Sequence, residues 1–146
     1  SFYLYKKNPA MSAKVLENAI SEDQILFDTK NAKLLSDSWL FAKERIKSLD
    51  VIEESLSLNP NEEKLVNQYV NIAFSAFEWK EVINGIRKAE QIGIEDDGKH
   101  DLMIGIAFFE TKDLKNAENS FIKASNSKKY SDQGKAWLEY LNALKG

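Results

Sequence analysis

The sequence predicts an all-α protein, and three observations carry that prediction. Apolar residues recur at three- and four-residue steps: Leu102, Ile106 and Phe109 with Gly105, then Ala117, Phe121 and Ala124, then Trp137, Leu138, Leu141 and Leu144. Two prolines and six glycines in 146 residues leave little punctuation, so long elements with short connections are expected. Short apolar runs such as Tyr3-Leu4-Tyr5 lack the turn-bounded partner that a strand requires.

The aromatic opening Ser1-Phe2-Tyr3-Leu4-Tyr5-Lys6-Lys7 reads as the tail end of a helix belonging to a longer chain. Residues 9–20, with Pro9, Ala13, Leu16, Ala19 and Ile20, form the helix that pairs with it. Ser21-x-x-Gln24 reads as a capping box for the next helix. Between 22 and 59 no glycine or proline separates two helices; a corner is expected near Lys43-Glu44, with one longer irregular helix as the alternative. Asn59-Pro60-Asn61 stops a helix and caps its successor. Phe77-Glu78-Trp79 is a tight interhelix corner, and Ile92-Gly93 ends a helix with a C-terminal glycine. Asp96-Asp97-Gly98 leads into another helix, Asp113 caps the one starting at Leu114, and Ser131 caps the last.

A repeat is visible in these elements. Ile104-Gly105-Ile106-Ala107-Phe108, then Lys112-Asp113-Leu114-Lys115-Asn116-Ala117, then Phe121 and Ala124 make one helix pair. Val82, Ile86 and Ala89 occupy the same helix positions one unit earlier, with Trp79 at the corner. Leu56-Ser57-Leu58-Asn59-Pro60-Asn61 closes the unit before that, where Ser48 and Ser55 sit at the small positions and Trp39 at the aromatic one. Starts at 29, 63, 98 and 132 are spaced 34, 35 and 34 residues.

In residue type and period this resembles the tetratricopeptide repeat, a family of about 34-residue helix–turn–helix units. Gly105, Phe108, Ala117, Phe121 and Ala124 fall on its eighth, eleventh, twentieth, twenty-fourth and twenty-seventh positions. The resemblance implies a right-handed superhelical stack of antiparallel helix pairs in one domain, 1–146: a partial repeat at 1–28, repeats at 29–62, 63–97 and 98–131, and a solvating cap at 132–146. Small residues would let helix backbones approach, while Phe108 and Phe121 fill the wedge between pairs. The closing Ala136-Trp137-Leu138-Glu139-Tyr140-Leu141 looks like the end of longer bacterial members, some of them exported and placed beside envelope-energising transport machinery. That leans towards the periplasm or envelope and leaves the cytoplasm open.

Composition argues against several classes of function. The net charge of −3, with Arg45 and Arg87 the only arginines, offers no basic stripe for nucleic acid. No apolar stretch is long enough to insert in a membrane. Without cysteine there is no thiol chemistry or Cys-based metal site. His100, the one histidine, reads as a solvated first-turn residue rather than a general base. Glu95-Asp96-Asp97 with Asp101 fails the calcium-loop pattern and suits the positive end of a helix. Trp39, Trp79 and Trp137 read as core or corner residues, and Asn126-Ser127-Lys128-Lys129 as a solvated connection. No enzyme, metal or cofactor is expected.

What remains is binding. In tetratricopeptide stacks the inner groove is lined by positions two, five, nine, twelve and thirteen of each first helix. The resemblance therefore implies Lys30, Lys33, Asp37, Leu40 and Phe41, then Lys64, Asn67, Asn71, Phe74 and Ser75, then Lys99, Leu102, Ile106, Phe109 and Glu110. Asn67 and Asn71, one turn apart, could hold an extended peptide backbone. The ladder Lys30, Lys64 and Lys99 could meet carboxylates, with plain solvation the alternative for all of these. The carboxylate-clamp subclass is disfavoured. Its positions fall on Lys33, Asp37, Gln68, Lys99 and Met103, and Asp37 and Met103 break it. The expected partner is a protein or peptide held in the groove. A purely structural domain that dimerises is the alternative.

Overall fold

In a computed structural model, residues 8–146 are described, and they contain eight α-helices and no strand. The aromatic opening expected to end a helix lies outside the described residues. Two compact units divide the chain, one reaching to Ala76 and the other Phe77–Gly146.

The first unit holds α1 (Pro9–Ser21), α2 (Thr29–Phe41), α3 (Arg45–Leu58) and α4 (Glu63–Ser75), each packed on the next. Asn8 caps α1 by accepting from Met11 N at 3.1 Å, with Pro9 in the first turn where its missing N–H costs nothing. Asp28 caps α2 by accepting from Asn31 N at 2.8 Å. The expected capping box at Ser21 and Gln24 is therefore displaced. Ser21 is the last residue of α1, and Gln24 N donates back to Ala19 O at 2.8 Å. Asn59-Pro60 does end α3, but the residue before α4 is Glu62, which makes no side-chain cap bond.

Ala13, Ala32, Leu35, Trp39 and Val51 form the core of the first three helices, with Leu16, Ile20, Phe27 and Ala42 against it. Between α2 and α3 the approach is set by two fully buried serines. Ser36 Oγ donates to Ser48 O at 3.1 Å, Ser48 Oγ donates to Ser36 O at 2.9 Å, and the hydroxyls lie 2.7 Å apart. Each hydroxyl thus finds a carbonyl on the neighbouring helix, which a buried polar group needs.

The second unit holds α5 (Trp79–Gln91), α6 (Lys99–Glu110), α7 (Leu114–Ser125) and α8 (Ser131–Lys145), again packed in succession. Close approach here depends on missing side chains. A Cβ on Gly105 would lie 2.5 Å from the Phe121 ring, and one on Gly134 would lie 2.5 Å from Ser125 N. Ala117, Phe121 and Ala124 are wholly buried, and Phe121 stacks on Trp137 at 5.0 Å and 9°. Asp113 caps α7 through Asn116 N at 3.3 Å, as expected. Ser131 does not cap α8. It is the first helical residue, preceded by Tyr130, whose N–H donates to Ser127 Oγ at 3.1 Å.

The corner near Lys43-Glu44 exists, and the single long helix is excluded: α2 ends at Phe41 and α3 begins at Arg45. Lys43 takes the left-handed conformation, φ 62°, as do Phe77 at 57° and Lys112 at 66°. These three corners are 34 and 35 residues apart, the period read from side chains. At two of them the same pair of bonds closes the helix: Lys43 N to Leu40 O with Glu44 N to Trp39 O, and Lys112 N to Phe109 O with Asp113 N to Phe108 O.

Candidate functional site

In the first unit the expected groove residues lie on α2 and α4. Lys30, Lys33, Lys64 and Asn71 are exposed, while Asn67 and Phe74 are half-buried. Gln68 Nε2 donates to Asp37 Oδ1 at 3.2 Å, tying α4 to α2 along this face. Burial pushes the Asp37 carboxyl above its usual range, and Lys33, one turn earlier, opposes that. Two positions that a carboxylate clamp would spend on its ligand are therefore used on each other. Among the described residues neither the Asn67 nor the Asn71 side-chain amide has a hydrogen-bond partner. One helical turn apart, they leave two amides able to donate and accept on one face.

In the second unit Lys99 is exposed in the first turn of α6, and Leu102, Ile106 and Phe109 are half-buried along it. Met103 is buried, so the last clamp position faces the core. Phe109 reaches α8, meeting Trp137 at 5.3 Å and Tyr140 at 5.6 Å, both edge to face. With Glu110 and Ala136 these rings line a cleft of about 390 Å³. The aromatic step at positions 137 and 140, facing Phe109, is the sequence signal that points to this cleft.

His100 departs from expectation. It is 8% exposed rather than solvated, with Nδ1 3.1 Å from Asp96 Oδ2. The reason is local: left-handed Gly98, φ 102°, turns the loop back, Gly98 N donates to Asp96 Oδ1, and the other carboxylate oxygen of Asp96 lies against the imidazole. Asp101 beside it has its carboxyl raised, by burial first and then by Asp96 and Glu90, with Lys123 and His100 opposing. The acidic run thus organises the start of α6. Among the described residues no group of three or more acidic or histidine side chains is placed to hold a metal ion, and no helix is long and apolar enough to cross a membrane.

Trp39 lies in the core as expected, and Trp79 pairs with Phe77 at its corner, centroids 5.7 Å apart. Compared with protein-family models and with curated proteins, the chain matches none.

Proposed function

We propose that this chain is a tetratricopeptide-like interaction module, with no catalytic role, that holds an extended segment of a partner protein on the α2–α4 face. The recurrence of left-handed corners at 43, 77 and 112 supports the family reading. The observation that carries the function is the pair of unpartnered side-chain amides, Asn67 and Asn71, one and two turns after exposed Lys64 on a helix that Gln68 ties to α2. Such amides can satisfy a peptide's backbone N–H and C=O groups, which an extended segment otherwise leaves to water.

The test is a peptide-display selection on the whole chain and on Asn67→Ala/Asn71→Ala. Each bond to an amide contributes about 0.5–1.5 kcal/mol, so the double variant should weaken selected peptides roughly five- to hundredfold. An unchanged set of peptides at unchanged affinity would sink the assignment.

One observation favours a second reading, self-association. Helix α8, expected to be a solvating cap, leaves Tyr140 50% and Leu144 54% exposed, where a capping helix needs polar residues. Light scattering across a concentration series decides it: a constant monomer mass removes this reading.

A further inference from the structure

We infer that the cleft between α6 and α8 receives a lysine or arginine side chain carried by a partner polypeptide. This rests on the interaction-module reading only in taking Phe109 as partner-facing. Three rings wall the cleft, and each pair meets near the perpendicular: Phe109 with Trp137 at 66°, Phe109 with Tyr140 at 81°, Trp137 with Tyr140 at 85°. Rings so arranged turn their faces in different directions, and stacking on Phe121 covers only one face of Trp137. Those faces carry the negative part of the ring quadrupole and attract cations.

The one charged lining residue has the same preference. Glu110 is exposed at the rim, and among the described residues no cation is paired with its carboxylate. Ala136 completes an otherwise apolar wall. An amphipathic guest fits this layout, its methylene stem along the rings and Ala136 and its charged head at Glu110. The cleft is largely open to solvent, so a side chain can enter it while still carried on its backbone. The site is also preorganised: stacking on buried Phe121 at 9° holds the Trp137 plane before any guest arrives.

The test is an NMR titration of the whole ¹⁵N-labelled chain, following the Trp137 indole N–H. The probes are acetyl-Leu-Arg-Leu-amide, the same peptide with norleucine replacing arginine, and tetramethylammonium. The arginine peptide should shift the Trp137 signal, and the norleucine peptide should bind about two- to fivefold more weakly, the range of an exposed cation–π contact. Glu110→Gln and Tyr140→Ala, both at exposed positions, should each lower affinity for the arginine peptide by a similar factor. Equal binding of the two peptides, or indifference to Glu110→Gln, overturns the proposal. So does tetramethylammonium binding as tightly as the peptide, or a Trp137 shift on simple dilution, which would seat a second copy in the cleft. Asn67→Ala/Asn71→Ala should leave the arginine response intact, so a failure on α2–α4 and a failure here are told apart.

Discussion

The two units solve one packing problem with different chemistry. Adjacent helices approach closely in both, but the first unit puts hydroxyls in the contact and the second puts nothing. Ser36 and Ser48 fill theirs with mutual hydrogen bonds, whereas Gly105 and Gly134 leave room for a ring and for a backbone. The contact demands small size and tolerates polarity only when every hydroxyl finds an acceptor.

The largest expected effect lies in the second unit. A Cβ on Gly134 meets the backbone of Ser125, which cannot swing aside as a side chain can. Gly134→Ala should therefore cost about 2 kcal/mol or more in urea unfolding, despite the better helix propensity of alanine. A neutral result would mean that size does not limit this contact.

The serine pair comes next. Ser36→Ala and Ser48→Ala should each cost about 1 kcal/mol, and the double variant should fall short of their sum by about 0.5–1 kcal/mol. Strict additivity would show that the hydroxyls act apart. Because both sites are small and fully buried, the double variant makes the first unit resemble the second.

Smaller still is the effect of the corners, one probe per unit. A left-handed backbone costs a residue with a side chain about 1–2 kcal/mol, which glycine avoids at the expense of greater freedom when unfolded. Lys43→Gly and Lys112→Gly should each raise stability by about 0.5–1 kcal/mol, read as a higher urea midpoint at unchanged slope. Gly93→Ala should lower it by a similar amount, since nothing lies within 4 Å of the added carbon and only its φ of 80° resists.

These corners also show what the chain discloses on inspection. Gly93 announces its turn because glycine is the usual occupant, while Lys43 and Lys112 hold the same conformation under residues that also suit helix interiors. The helix pairs are legible from apolar spacing and the repeat from Gly105, Ala117, Phe121 and Ala124. Ser36 is not, because its role appears only when Ser48 is placed against it. Gly134 escapes a sequence reading because its constraint comes from the backbone of α7 and not from any period within α8. In the candidate site, exposure of Lys30, Lys33, Lys64 and Lys99 follows from charge alone. The Gln68–Asp37 bond joins residues on different helices, so their pairing is hidden although both stand at clamp positions. The burial of His100 is equally hidden, because its partner, Asp96, reaches it only through the left-handed turn at Gly98.

The smallest effect concerns a half-buried acid with no counterpart in the glycine contacts. The Asp37 carboxyl is raised in the folded protein, so folding favours its protonated form. Its contribution is most favourable below the unfolded value and is lost as pH rises through the folded one. Asp37→Asn keeps an acceptor for Gln68 and should add about 0.5 kcal/mol or less at neutral pH. It should also remove part of the decline in stability that begins near the ordinary carboxylate value of 3.8. Denaturation curves at several pH values check the sign.

The most direct measurement is a chemical-shift map of a display-selected peptide on the whole chain. Perturbations centred on Lys33, Lys64, Asn67, Asn71 and Phe74 are the expected result. Perturbations centred instead on Glu53, Glu54 and Ser57 of α3, with the two asparagine side-chain amides unmoved, would contradict binding on the α2–α4 face.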